Sequence, residues 1–292
     1  MSIKIITDSC CDLPLDYVES NADLLHVIGM PIQIDDETRI DDLGKTYSHK
    51  DFYNSLRQGK MPSTSQINAY RFEMIFKEYI AAGHSVIYLG FTSGMSGTFN
   101  SAILAKNLIL EQFPHAQIEV IDTLCASIGQ GALTIETLLR VKEGYSLEDI
   151  VRWVEDKKLK FHHWFGVNDL NYLKNGGRIS ATTALVGNVL NVKPTLTVDH
   201  KGTLKSYSNV RGRKKSIALL ANKLATHIDR NEARTILLGH GNCLDDALLL
   251  KEIIESGNPL PNIIVTELSM TIASHVGPDM IAVAFLGDER EK

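Results

Sequence analysis

The sequence predicts an α/β protein built as two α/β domains, residues 1–160 and 161–292. The first is expected to be a three-layer sandwich on a mostly parallel sheet, the second a mixed α/β domain with a hairpin. Three observations carry this. Short apolar segments alternate with longer helical patterns through the first half, which implies parallel strands joined by helices. Asp199-His200-Lys201-Gly202, between two strand-like runs, is a hairpin signature without a counterpart in the first half. The 292 residues are enough for two domains.

Taken in order, residues 3–6 read as a strand ending in Thr7-Asp8-Ser9, and 13–20 as a helix with Pro14 in its first turn. A strand over 25–34 and an acidic turn region over 35–42 follow. Ser48 caps a helix over 48–58, and 61–67 (MPSTSQI) is a loop. Phe72, Ile75, Phe76 and Tyr79 at helical spacing predict a helix over 70–82. The apolar strand 86–89 runs through a Gly, Ser and Thr loop directly into a helix. A strand over 118–121 leads to helices over 128–142 and 147–157, separated by Gly144 and the second capped by Ser146. Beyond 160, a strand over 161–167 precedes the tight Asn175-Gly176-Gly177 turn, which suits a hairpin or loop. Strands 195–199 and 203–208 flank the hairpin turn. A helix over 214–228, a strand over 235–238, a Gly-His-Gly-Asn loop, a helix over 244–256 and strands over 263–268 and 280–286 complete the chain.

Composition narrows the function. A formal net charge of −5 argues against nucleic acid as a main partner, because such proteins usually carry a basic field. The four cysteines, with Cys10 and Cys11 adjacent, show neither disulfide nor zinc spacing. The N-terminus enters a strand at once and no apolar run approaches a membrane span, so neither a signal peptide nor a transmembrane segment is expected, and the location is expected to be cytoplasmic.

Three hydroxyl-rich loops could build one site. They are Ser63-Thr64-Ser65-Gln66, Thr92-Ser93-Gly94-Met95-Ser96-Gly97-Thr98 and Ser274-His275-Val276-Gly277-Pro278. The second opens a helix, where unpaired N–H groups and the helix dipole attract an anion. No Lys or Arg lies between Lys77 and Lys106, so this loop is expected to offer hydroxyls and amides and no cation. A serine hydrolase using Ser96, His275 and an acid such as Asp8 is the enzymatic alternative, although Gly94-Met95-Ser96-Gly97-Thr98 lacks the final glycine of a nucleophile elbow. Nucleotide-binding fingerprints are missing. Asp8 and Asp12 suggest a metal only weakly, with no third ligand. The basic run Arg211-Gly212-Arg213-Lys214-Lys215 reads as a solvated helix start, or alternatively as a surface for an acidic partner.

These motifs resemble those of the DegV family, whose members include the fatty acid-binding subunits of bacterial fatty acid kinase. The matching segments are Asp8-Ser9 with Asp12-Leu13-Pro14, Thr64-Ser65-Gln66, Ser93 to Thr98, Leu173-Lys174-Asn175-Gly176-Gly177-Arg178-Ile179, Arg211 to Lys215, and His275-Val276-Gly277-Pro278, in the family's order. The resemblance implies a tunnel between the two domains holding a long-chain, palmitate-like fatty acid, and no other cofactor. It implies that Thr64 and Ser96 hold the carboxyl group with His275 nearby, that Ser65, Ser93, Gly97, Thr98 and Gly277 support these loops, and that Arg178 docks a fatty acid kinase subunit. That partner would phosphorylate the carboxylate, leaving this chain as a carrier without catalysis of its own. Two departures stand out: Cys10-Cys11 replaces small polar residues, and Asp279-Met280 places a possible negative charge near the carboxyl end.

Overall fold

The computed structural model describes residues 2–180, 191–257 and 262–291. The first half runs β1 (Ile3–Asp8), a 3-10 turn (Ser9–Cys11), α1 (Leu15–Ser20), β2 (Leu25–Ile28), β3 (Met30–Ile34), β4 (Glu37–Asp41), α2 (His49–Arg57), β5 (Ser63–Thr64), α3 (Ala69–Ala81), β6 (Ser85–Gly90), α4 (Thr98–Gln112), β7 (Ile118–Asp122), α5 (Ile128–Lys142) and α6 (Leu147–Lys157). The second runs β8 (Phe161–Gly166), α7 (Asn171–Asn175), β9 (Val192–Val198), β10 (Leu204–Arg211), α8 (Arg213–His227), β11 (Thr235–His240), α9 (Leu244–Glu255), β12 (Asn262–Glu267), α10 (Met270–Val276) and β13 (Ile281–Leu286).

Strands β2-β1-β6-β7 form a wholly parallel sheet, as the alternating pattern predicts. A six-stranded mixed sheet, β10-β9-β8-β13-β11-β12, holds the predicted hairpin as β9–β10 and one parallel pair, β11–β12. Every strand of the first sheet precedes residue 160 and every strand of the second follows it, yet one buried apolar cluster runs through both. The reason is α5, which packs against β1 and β6 of one sheet and β8, β11 and β13 of the other. Twelve of its fifteen residues are buried. Gly129 and Gly131 permit this close fit: a Cβ on Gly129 would fall 1.9 Å from the His163 ring, and one on Gly131 2.3 Å from the Cys11 carbonyl oxygen.

The first half departs from its expected pattern at a third, small sheet, β4-β3-β5. The apolar stretch 25–34 is two strands in two sheets. It breaks at Gly29, where a Cβ would sit 2.4 Å from Ile40 and 2.5 Å from the Asp41 carbonyl oxygen. Residues 35–42, expected as a turn region, contain β4 of an antiparallel hairpin, turning at Asp35 in the left-handed region (φ 51°). A first-half hairpin therefore exists without a Gly-containing signature. Within the expected loop 61–67, Ser63 and Thr64 pair with β3. Pro14 sits at the N-cap of α1, one position before the first turn. The Asn175-Gly176-Gly177 turn ends α7 and forms no hairpin. Residues 270–276, where no helix was expected, form α10, whose Met270 and Ala273 pack with Ile32, Phe52, Tyr53 and Leu56 over the small sheet.

The C-terminal segment is fastened by two polar knots. The buried Arg290 guanidinium donates to the carbonyl oxygens of Leu124 (3.0 Å), Lys158 (3.3 Å), Leu159 (3.3 Å) and Val198 (3.5 Å), joining segments of both halves. Asp288 accepts from His162 and His227, whose rings stack 4.9 Å apart. Trp164 Nε1 donates to His162 Nδ1 at 3.3 Å, which leaves Nε2 as the protonated nitrogen facing Asp288. That tautomer makes the cluster a closed hydrogen-bond set.

Asp12 is fully buried in a left-handed conformation (φ 51°), and its carboxylate accepts from Ser127 and from the Ser269 amide at 2.7 Å. Burial raises its pKa from 3.8 to about 7 in spite of these donors. Across that window the folded chain retains a proton that the unfolded chain has lost, so this group lowers stability as pH rises, by roughly 1.4 kcal/mol per unit. Asp12→Asn is expected to keep both contacts and remove that slope. Urea unfolding at pH 4.5 and 7.5 checks this: the variant's advantage over the native chain grows with pH.

Candidate functional site

A narrow cavity of about 80 Å³ lies where the two halves meet. Its wall is mostly apolar, with Met30, Phe91, Ile128, Phe165, Leu173, Val198, Ile272, Val276 and Met280 among the side chains lining it. Several polar residues also face it, but their hydrogen bonds are committed elsewhere. Ser127 donates to Asp12, Thr271 donates to Asp41, and His163 Nε2 accepts from the Ala126 amide at 3.2 Å. The other polar liners among the described residues include Thr64, Ser96, Arg178 and His275.

These four come from four separate elements. Thr64 is held by β5 against Ile32 of β3. His275 projects from the last turn of α10, and its Nε2 lies 2.8 Å from Thr64 Oγ1. Its Nδ1 is buried without a hydrogen-bond partner among the described residues and faces Gly176, where a Cβ would be only 2.2 Å away. Burial, with a smaller contribution from the Arg178 charge, lowers the His275 pKa to about 4. The ring is therefore neutral at physiological pH. Ser96 precedes α4, donates to Thr98 Oγ1 at 3.0 Å and accepts from the Thr98 amide at 3.2 Å.

Two expectations about charge are overturned. The site is not free of cations: Arg178 lines the same cavity as Ser96, because its guanidinium folds back onto the Met95 carbonyl oxygen at 3.2 Å and also donates to the Gly176 carbonyl. Sequence distance concealed this, since the Arg178 contact spans 83 residues. Asp279 does not bring an uncompensated charge to the site. It pairs with Arg57 at 2.7 Å and accepts from Asn168 at 3.0 Å, while its neighbour Met280 lines the cavity.

The expected open anion cradle before α4 is also closed on itself. The Met95 and Ser96 amides donate to the Thr92 carbonyl oxygen at 3.3 Å, the Gly94 amide to Thr92 Oγ1 at 3.1 Å, and the Ser93 amide to Asp122 at 3.2 Å. The hairpin turn holds this loop from outside, with Thr92 Oγ1 donating to the Gly202 carbonyl oxygen at 3.0 Å. Ser65, Ser93, Gly97, Thr98 and Gly277 lie outside the cavity wall. Ser65 and Ser93 are exposed, Thr98 is buried behind Ser96, and Gly97 makes room for Gln66. Gly277 ends α10 at φ 73°, packed against Tyr172 where a Cβ would fall 2.5 Å away.

Among the described residues, Ser96, His275 and Asp8 are not hydrogen-bonded to one another. Ser96 is bonded to Thr98 and His275 to Thr64, while Asp8 accepts from Tyr88 (2.7 Å), the Phe91 amide (3.3 Å), Gln130 (3.2 Å) and the Cys10 amide (3.1 Å). Asp8 thus ties the first strand to α5 and to the loop after β6, and burial raises its pKa. All four cysteines are free thiols, and Cys10 lines the cavity, so the first departure alters the site wall itself. In the basic run, Arg213 pairs with Asp246 at 2.9 Å, whereas Lys214 and Lys215 are exposed at the start of α8.

The DegV family model matches residues 2–288. This chain belongs to the DegV family. A DegV domain-containing protein of Clostridium perfringens is 41% identical over 288 residues, covering 98% of both chains. A fatty acid binding DegV family protein of Streptococcus agalactiae superposes with a TM-score of 0.85 at 27% identity, over 99% of this chain and 100% of that one. The fold is shared also with the fatty acid kinase B3 protein of Streptococcus pneumoniae, solved loaded with linoleic acid (TM-score 0.86, 22% identity, 99% of this chain and all of that one). Among the described residues of this DegV chain, no helix is long and apolar enough to cross a membrane.

Gly176 supplies a direct check of the head-group geometry. Its backbone is ordinary (φ −71°), so Gly176→Ala meets only the ring of His275. The ring must swing away and give up Thr64, at a cost of about 1–3 kcal/mol for overpacking. Ring resonances of His275 measured by NMR are expected to shift while the rest of the spectrum holds, with a matching loss in urea stability.

Proposed function

We propose that this protein binds a long-chain fatty acid with its tail in the apolar cavity and its carboxylate at Thr64, Ser96 and His275. The observation that supports this most strongly is the neutral Thr64–His275 pair at the polar corner of an otherwise apolar cavity. A tail of roughly fourteen methylenes, at about 0.8 kcal/mol each, contributes on the order of 11 kcal/mol before association costs, so the head group needs only to be oriented.

The neutral histidine gives the orientation a direction. With its proton on Nε2, His275 donates to Thr64 Oγ1, and the Thr64 hydroxyl is then free to donate to a carboxylate oxygen. For Ser96 to donate to the same carboxylate, its O–H must rotate away from Thr98. Neither donor carries charge, so the carboxylate keeps its nucleophilic character. Arg178 stands at the edge of this corner and fixes Met95, which places the Ser96 loop.

The same reading makes the protein a cytoplasmic carrier that presents the carboxylate to a fatty acid kinase subunit for acyl-phosphate formation. This partner rests on the family resemblance. Arg178 couples the two roles, since it shapes the loop between the head group and the surface beside it.

Thr64→Ala with Ser96→Ala is expected to weaken binding of palmitate by about tenfold or more, as removal of two hydrogen bonds to a charged group implies. Binding of palmitate methyl ester, which has no carboxylate, is expected to change little. Calorimetric titration of both ligands checks this, and equal loss for acid and ester would remove the head-group assignment.

A further inference from the structure

The seven-residue helix α10 carries His275, and nothing in its own length fixes where that side chain points. Helices this short have little stability of their own, so their orientation comes from outside contacts. One face of α10 lines the cavity through Thr271, Ile272, His275 and Val276. Its first turn meets a buried carboxylate: Asp41 Oδ2 accepts from the Thr271 amide at 2.8 Å and from the Thr271 hydroxyl at 2.6 Å. Asp41 is wholly inaccessible to solvent, and its other oxygen has no hydrogen-bond partner among the described residues. A carboxylate at this end of a helix is favoured by the dipole and makes stronger hydrogen bonds than a neutral acceptor.

Asp41 is the last residue of β4, in the small sheet that also carries Thr64 on β5. The central strand β3 pairs Met30 with Asp41 on one side and Ile32 with Thr64 on the other. The sheet and the helix are therefore joined twice, by Asp41–Thr271 at the start of α10 and by Thr64–His275 at its end. We propose that Asp41 is the positioning residue of the head-group site, holding α10 against the small sheet so that His275 meets Thr64. This rests on the fatty acid reading above. It adds a residue that touches neither ligand nor cavity and lies 23 positions before Thr64 in sequence. Asp12 anchors the preceding residue, Ser269, from the other side, and Met270 and Ala273 pack on Ile32, Phe52, Tyr53 and Leu56, so Asp41 is the polar contact that fixes the first turn of α10 against the sheet.

The test compares palmitate with palmitate methyl ester on native protein, Asp41→Ala and Asp41→Asn. Asp41→Asn keeps an oxygen acceptor in place and is expected to bind both ligands within about twofold of native. Asp41→Ala is expected to lose roughly tenfold in palmitate affinity while the ester is unaffected, and to shift the carboxyl resonance of bound [1-¹³C]palmitate. Equal loss of acid and ester in Asp41→Ala, or no loss of either, would overturn the positioning role. If Asp41→Ala does not fold, Asp41→Ser, which keeps a polar side chain too short to hold both Thr271 donors and lies outside the cavity wall, provides the same contrast at about threefold. Failure of native protein to bind either ligand would instead count against the fatty acid reading itself.

Discussion

The hydrogen bond between Thr64 and His275 joins residues 211 positions apart, and it exists only if three separately built parts are already in place. The small sheet must dock on α10, α10 must follow β12 at the right angle, and β12 must belong to the sheet that α5 locks to the first half. The buried glycines of α5 matter for the same reason. They let the helix approach both β8, at His163, and the first 3-10 turn, at Cys11.

Acidic side chains are buried away from the cavity, where desolvation raises their pKa values. Asp8, Asp12 and Asp41 are inaccessible, and each is occupied by donors from another part of the chain. They fasten elements that carry the cavity wall without facing the cavity. Among the described residues, the polar groups that do face it include hydroxyls, the Cys10 thiol, the His163 and His275 imidazoles and one guanidinium held by backbone carbonyl oxygens.

Much of the fold was legible because the strands and helices of a parallel sheet follow local periodicity. The β1, β6 and β7 strands and the α3, α5 and α6 helices all fall where apolar spacing and caps place them. The small sheet was not legible, because its break depends on Gly29 meeting Ile40 and Asp41, a contact that periodicity cannot register. Nor was α10, whose seven residues are too few for a helical pattern and whose placement depends on distant carboxylates. Thr64, Ser96 and His275, each from one of the hydroxyl-rich loops, line one cavity. The loops gave no sign that the Gly94, Met95 and Ser96 amides would close on Thr92, or that Arg178 would turn inward to Met95.

The central claim is that the cavity is a fatty acid site, and the ligand carried by the purified protein tests it most directly. Protein isolated without added lipid, then denatured, extracted and examined by mass spectrometry, is expected to release close to one long-chain fatty acid per chain. An extract free of fatty acid, from protein that also fails to take up added palmitate, would contradict the account.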